Sequence, residues 1–444
     1  MKKYIVTGGK ELSGEVFVSG SKNVVLKVLI AACLTEHEVE IRNVPLISDF
    51  FVMLELIKEI GGIVHLSGHT VRIQVPEIKT IKLPLEIGAK IRTSSMFLAP
   101  LLARSGEALI PNPGGCRIGA RPIDRHIEGL EKMGAKITYM RADGYFHAKT
   151  QGLKGITYRF SKNSHTGTET LIIAAVKAKG VTVLENAAQE PEVDDLIAFL
   201  NAMGARIKRH DPRTIVIEGV EKLHSATYEI MPDRNEVVTF AICSALTGGK
   251  IKVKNADLSS LGTFLDEFKK AGGAWESDDS SVRFYLKNEV KPVSVTTGPH
   301  PGFMTDWQGN WAILMTQAQG MSIIHETVYE NRFSYIEELQ KMGAKISFFQ
   351  PKVKNPEEVY NFNYSMDKKD EYKQAVKIKG KTPFHNAVLN IADLRAGATL
   401  VLASLIAKGE SVIYGIEHLE RGYEAFDSRL ASLGAQIESV EESV

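Results

Sequence analysis

The feature that most narrows how this chain can fold is a short pattern that recurs six times: the end of an apolar helix, a glycine, then a β-rich run. The copies are Glu59-Ile60-Gly61-Gly62-Ile63, Lys132-Met133-Gly134-Ala135-Lys136-Ile137, Ala202-Met203-Gly204-Ala205-Arg206-Ile207, Lys270-Ala271-Gly272-Gly273-Ala274-Trp275, Lys341-Met342-Gly343-Ala344-Lys345-Ile346 and Ser432-Leu433-Gly434-Ala435-Gln436-Ile437. A glycine there can take the left-handed conformation that ends a helix without a Cβ clash. Ahead of the copies lie apolar helical runs that lead through a small turn into a strand, as in Leu98 to Ile110, Leu171 to Leu184, Phe240 to Val253, Ile313 to His325 and Val401 to Tyr414. Each unit therefore reads helix, strand, helix, strand, a compact α/β module, and six such units predict two domains of three.

The glycine-to-glycine intervals are 73, 70, 68, 71 and 91 residues. The longer last interval points to an insertion at 351–390, rich in Lys, Asp, Tyr and Asn, which reads as a solvated surface excursion. At 444 residues the chain is too long for one ordinary core. Lys plus Arg number 54 against 53 for Asp plus Glu, so overall charge gives no reason to expect a nucleic acid or membrane partner, and any anion site must come from local clustering. No run reaches the roughly 18 apolar residues of a membrane span, and Met1 to Gly9 lacks the apolar stretch of a signal peptide, so a cytoplasmic protein is expected. Three widely separated cysteines fit neither a disulfide framework nor a zinc site.

Chemistry concentrates in the Pro- and Gly-rich segment Pro111-Asn112-Pro113-Gly114-Gly115-Cys116-Arg117-Ile118-Gly119-Ala120-Arg121-Pro122, which reads as an exposed loop. Cys116, near Arg117 and Arg121, is expected to be a reactive, partly ionised thiol. Cys33 and Cys243 sit inside apolar helical runs and read as core residues. Ser19-Gly20-Ser21-Lys22-Asn23 stands where a helix starts and could hold an anion. Arginines and carboxylates recur at unit ends: Arg92, Arg121, Asp233-Arg234, Glu330-Asn331-Arg332, Asp393-Leu394-Arg395 and Arg421-Gly422-Tyr423-Glu424. In Pro299-His300-Pro301-Gly302-Phe303-Met304-Thr305-Asp306-Trp307, either Thr305 or Asp306 could cap the following helix, or Asp306 could act as a general base; the residues alone leave both open.

Taken together, these motifs resemble the UDP-N-acetylglucosamine 1-carboxyvinyltransferases, a branch of the enolpyruvyl transferases. They are joined by Gln189-Glu190-Pro191-Glu192, Pro232-Asp233-Arg234-Asn235-Glu236 and Glu326-Thr327-Val328-Tyr329-Glu330-Asn331-Arg332. The resemblance runs nearly end to end. It implies an inside-out α/β barrel of two domains, each of three βαβ-type units. One domain would span 22–230 and the other 1–21 plus 231–444, with a hinge near Gly20 and Met231.

The implied reaction moves the enolpyruvyl group of phosphoenolpyruvate onto the sugar 3-hydroxyl of UDP-N-acetylglucosamine, by addition then elimination, with no metal and no organic cofactor. Catalytic roles would fall to Cys116, Asp306, Lys22 and Arg421, with Cys116 the site at which fosfomycin, a phosphoenolpyruvate mimic, would react. Phosphoenolpyruvate would be held by Lys22, Asn23, Arg121, Arg395 and Arg421, with Glu190 in support. The sugar nucleotide would meet Asn23, Arg92, Arg121, Pro122, Ile123, Asp124, Arg125, Lys162, Asn163, Ser164, His165, Asp306 and Val328. Several positions depart from the family's usual residues: Ser21 for Ala, Arg125 for Leu, Ser164-His165-Thr166 for Ser-Val-Gly, and Val237-Val238 for Thr-Gly. Two alternatives accompany this reading: a regulatory paralogue that binds nucleotide sugar without turnover, and the shikimate-pathway relative, which lacks the Gly-Gly-Cys loop.

Overall fold

The computed structural model describes residues 2–115, 122–278 and 280–441. The fold is mixed α/β, and by internal contacts it divides into two compact units. The first comprises Gly20–Gly115 and Pro122–Met231; the second comprises the N-terminal residues to Ser19 and Pro232 onward. Each has its own continuous apolar core.

Among the described residues the strands form six open sheets. Five have four strands and share one pairing scheme: an edge strand runs parallel to its neighbour, and two antiparallel pairings follow. In the first unit these are Ala226–Glu229, Val39–Arg42, Thr70–Gln74, Ile63–Ser67, and Thr157–Arg159, Val181–Glu185, Thr214–Glu218, Arg206–Asp211. The remaining sheet, Glu107–Pro111, Tyr145–Thr150, Ala135–Met140, has three strands and a single parallel bridge from Lys82 to Leu109 in place of the edge strand. In the second unit the order is Gly14–Phe17, Ile251–Lys254, Ser281–Leu286, Gly273–Ser277 in one sheet, and Val295–Thr296, Gly320–His325, Ala375–Gly380, Lys345–Phe349 in another. The third joins Val388–Asn390 and Glu410–Tyr414 to the N-terminal strand Lys2–Thr7, which lies between Glu410–Tyr414 and Gln436–Glu441.

Two kinds of helix pack these sheets. Lys22–Ala32 and His165–Ala175 in the first unit, and Arg234–Thr247, Gln308–Thr316 and Leu394–Ile406 in the second, are buried along nearly their whole length, as expected of helices apolar on every side. Six others, Ser48–Glu59, Asp124–Lys132, Pro191–Ala202, Gly262–Lys270, Ile336–Lys341 and Phe426–Ser432, are only partly buried and end at the repeated glycines. Gly61, Gly134, Gly204, Gly272, Gly343 and Gly434 have φ of +106°, +100°, +97°, +99°, +102° and +101°, so one backbone solution closes all six helices. Cys33 and Cys243 are buried, and burial pushes both thiols up to about 12, as for inert core residues. No described helix is long and apolar enough to cross a membrane.

The expected surface excursion at 351–390 needs correction. Ala375–Gly380 and Val388–Asn390 are sheet strands, with Ala375, Val376 and Ile378 fully buried. The extra residues form the connection from Phe349 to Ala375, where other units turn tightly, as between Ser67 and Thr70 or Asp211 and Thr214. Nor is that connection simply solvated. Tyr360 and Phe362 are buried; Tyr360 stacks on Phe362 and Tyr364, and Tyr372 packs at a tilt against Phe362 and Tyr364. Asn361 N donates to Thr327 O at 2.7 Å, and Tyr360 Oη lies 3.2 Å from His325 Nε2. Aromatic burial, which lysines on either side mask in a composition count, is what folds the segment back.

Candidate active site

In the second unit, the N-termini of two buried helices and the start of a third carry a dense polar cluster. Asp393 caps Leu394–Ile406, accepting from Arg395 N at 3.0 Å and Ala396 N at 3.1 Å. Asp233 does the same for Arg234–Thr247. Asp306 does not cap: Met304 is the N-cap of the 3₁₀ turn Thr305–Trp307, with no side-chain bond, and the Asp306 carboxylate faces two arginines instead. Its Oδ1 accepts from Arg332 Nη2 at 3.0 Å, and its Oδ2 lies 3.3 Å from both Nε and Nη2 of Arg395. Arg332 also reaches Asp393 Oδ1 with Nη1 at 3.3 Å, so one guanidinium links two carboxylates. Burial alone would raise the pKa of Asp306; the charges of Arg395 and Arg332 outweigh it and hold the group down at about 2. The arginine side chains are only 5% and 7% exposed against 21% for Asp306, so the carboxylate is the most exposed of the three.

Around this core the polar atoms are closely paired. Thr305 Oγ1 donates to Glu326 Oε2 at 2.9 Å, and Glu326 Oε1 accepts from Val328 N and Tyr329 N, which fixes the turn carrying Val328. Arg395 lies over the Tyr423 ring at 5.5 Å, and Tyr423 Oη meets Thr239 Oγ1 at 2.8 Å. Arg234 is buried beside His300 and Trp307 and belongs to the core.

The first unit holds a second cluster. Lys22 opens helix Lys22–Ala32 and pairs with Asp49. One turn on, the buried Lys27 lies 3.3 Å from Glu169 Oε2, and His165 Nε2 lies 3.1 Å from Glu169 Oε1; Glu169 is fully buried, and neither contact has hydrogen-bond alignment. Burial works against a charged His165, but the Glu169 carboxylate outweighs it, with Glu190 assisting, and the pKa of His165 is raised. Ser164 caps His165–Ala175 by accepting from Gly167 N at 3.1 Å. Next to it Thr166 Oγ1 is 3.0 Å from His126 Nε2. Burial first, then the charges of Arg92 and Arg125, lower His126 to about 3. Asn163 Nδ2 is bonded to Ala187 O, Asp124 opens helix Asp124–Lys132, and the Ser21 hydroxyl is buried without a hydrogen-bond partner.

Cys116 and Arg121, with Arg117, lie outside the described residues. The two glycines before them do not. A Cβ on Gly114 would stand 1.8 Å from Ala89 O, and Gly115 has φ of +109°, so the chain runs tightly against the segment leading to Arg92.

A sequence profile of EPSP synthase (3-phosphoshikimate 1-carboxyvinyltransferase) matches residues 6–430. A protein of Koribacter versatilis named UDP-N-acetylglucosamine 1-carboxyvinyltransferase is 42% identical over 100% of this chain and 97% of its own length. The chain belongs to the enolpyruvyl transferase family. A relative of the same name from Acidobacterium capsulatum is 41% identical over 98% of this chain and 96% of its own. The crystal structure of the enolpyruvyl transferase NikO from Streptomyces tendae superposes with a TM-score of 0.86 at 24% identity, covering 99% of both chains. EPSP synthase from Acinetobacter baumannii gives 0.75 at 17% identity, covering 99% of this chain and 100% of its own. The last two show the fold.

Within this enolpyruvyl transferase, sequence reading singled out Asp306, Arg395 and Val328, and the structure gathers them around the Glu326–Arg332 turn. It passed over three residues of these clusters. Arg332 was visible only as one of several arginines at unit ends. Lys27 and Glu169 each appear as a lone charge inside an apolar helix, a signal of burial with a partner.

Proposed function

We propose that this protein transfers the enolpyruvyl group of phosphoenolpyruvate to the 3-hydroxyl of UDP-N-acetylglucosamine, releasing phosphate, as the first step of peptidoglycan precursor synthesis in the cytoplasm. The observation that carries this reading is near full-length identity of about 40% to transferases of that name. The Asp306 cluster supports it: it sets a part-exposed carboxylate, the group that would meet a hydroxyl, beside two buried arginines that would meet an anion.

In this mechanism Asp306 takes the proton of the sugar hydroxyl as its oxygen bonds to the central carbon of phosphoenolpyruvate. Cys116 supplies a proton to the methylene carbon, giving a tetrahedral ketal. The methyl group then returns a proton to the Cys116 thiolate as the C–O bond to phosphate breaks, restoring the double bond, and the proton taken by Asp306 leaves with the phosphate. Lys22, Asn23, Arg121, Arg395 and Arg421 hold carboxylate and phosphate while charge moves between them. The sugar nucleotide would rest on Arg92, Pro122, Ile123, Asp124, Arg125, Lys162, Asn163, Ser164, His165 and Val328. We further propose that the two domains are 22–230 and 1–21 plus 231–444, each of three βαβ-type units in an inside-out α/β barrel. The pairing scheme shared by five of the six sheets supports that reading.

Phosphate release from phosphoenolpyruvate with and without UDP-N-acetylglucosamine tests the activity. Sugar-dependent release is expected; sugar binding with no release would favour the regulatory paralogue instead. Release with shikimate 3-phosphate as acceptor would favour the shikimate-pathway reading. A second expected result concerns the thiol. Fosfomycin with the sugar nucleotide present should stop turnover and add its mass to the Cys116 peptide, and an unmodified peptide at saturating drug would remove Cys116 from the mechanism.

A further inference from the structure

As it stands, the Asp306 carboxylate is poorly suited to remove a proton. Both oxygens are engaged by guanidinium groups, and its affinity for a proton is correspondingly low. The two arginines are not equivalent. Arg332 is braced by a second carboxylate, Asp393, which is itself tied to Arg395 N, Ala396 N and Ser334 Oγ. Arg395 touches Asp306 with Nε and Nη2, while its third nitrogen, Nη1, is buried with no hydrogen-bond partner. A buried guanidinium N–H without an acceptor is costly, and the group that would satisfy it is an anionic oxygen. The cluster's charges already balance, Arg332 and Arg395 against Asp306 and Asp393, with Glu326 one hydroxyl away through Thr305.

We propose that Arg395 is a cation shared between Asp306 and the anionic co-substrate, so that binding of the anion at Nη1 loosens the Arg395 to Asp306 pair and thereby turns Asp306 into a base. Arg332 stays in place and acts as the positioning residue, keeping the carboxylate oriented while its second partner is drawn off. The base is then strong only when the electrophile is present, so the bound sugar hydroxyl is not activated alone. This rests on the reading of Asp306 as base and Arg395 as anion contact. Groups facing the pair are Arg332, Glu326 through Thr305, Asp393 through Arg332, Asp233, and Tyr423 beneath Arg395.

The test is a pH titration of full-length protein labelled with [4-13C]aspartate, the Asp306 carboxyl resonance being identified by its loss in Asp306→Asn. With phosphoenolpyruvate present the resonance should titrate about one pH unit or more above its position in the free protein. In Arg395→Gln the anion should no longer move it. Steady-state kinetics give a second readout: the acid limb of kcat should lie above that of kcat/KM for phosphoenolpyruvate, and the gap should close in Arg395→Gln, whereas a purely structural role would lower rates without moving either limb. An Asp306 resonance that titrates at the same pH with and without the anion overturns the proposal even if turnover is intact. A shifted resonance in a protein that releases no phosphate would support it and reject the transfer reading alone.

Discussion

Replacing Arg332 by Met is expected to destabilise the second unit by about 3–5 kcal/mol, the range found when one partner of a buried ion pair is removed. The size follows from what is left behind. Arg332 is almost wholly buried and serves Asp306 and Asp393 together, and burial is opposed by those carboxylates strongly enough that its own pKa is raised. Met fills much of the same volume, so the loss is one of charge compensation and not of packing. Asp393 would keep its two backbone donors, but Asp306 would retain only Arg395. The three tryptophans, Trp275, Trp307 and Trp311, all belong to this unit, so the urea midpoint followed by tryptophan fluorescence reports on it directly. Arg332→Lys should recover part of the loss, since an ammonium restores charge without the fork that spans two carboxylates. A change under about 1 kcal/mol in Arg332→Met would mean that solvent, and not the arginine, compensates Asp306.

The backbone of this fold was legible because its signals are local. A glycine after an apolar helix and before a strand states its conformation within a few residues, and all six such glycines have nearly the same positive φ. The 91-residue interval likewise exposed an insertion. Its limits were misplaced because Ala375–Gly380 lies among lysines: Lys377 and Lys379 face one side while Val376 and Ile378 are buried on the other, a strand alternation hidden by high charge. The Asp306 cluster was harder. Arg332 lies 26 positions from Asp306 and Arg395 lies 89 away, so no spacing rule joins them, and the local residues leave a helix cap and a general base equally open. The Pro-rich turn does open a buried helix, but no side chain caps it, because the Asp306 carboxylate is drawn to arginines that only the tertiary fold supplies.

In the first unit, Lys27→Met is expected to cost a similar 3–5 kcal/mol, and to alter the pH dependence of stability as well as its level. Lys27 lies on helix Lys22–Ala32 and Glu169 on helix His165–Ala175, both otherwise apolar and buried. Removing the ammonium leaves the fully buried Glu169 with His165 as its remaining cationic neighbour, and Glu190 nearby adds negative charge. The His165 pKa is raised in the folded protein, so protonation of His165 favours folding. Its contribution is complete below the ordinary histidine value of about 6.5 and is lost as pH climbs through the raised folded value. Wild-type protein should therefore lose some stability as pH rises above about 6.5, at no more than about 1.4 kcal/mol per pH unit for one proton. In Lys27→Met that slope should extend to higher pH, because the imidazolium no longer meets a repelling ammonium and becomes the main compensation for Glu169. His165→Val should abolish the slope in an otherwise wild-type chain. Amide hydrogen exchange of helix Lys22–Ala32 at pH 6 and 8 follows this unit, which has no tryptophan. Equal protection at both pH values in wild type would show that His165 does not carry a proton for Glu169; greater loss at the higher pH, removed by His165→Val, is the expected outcome.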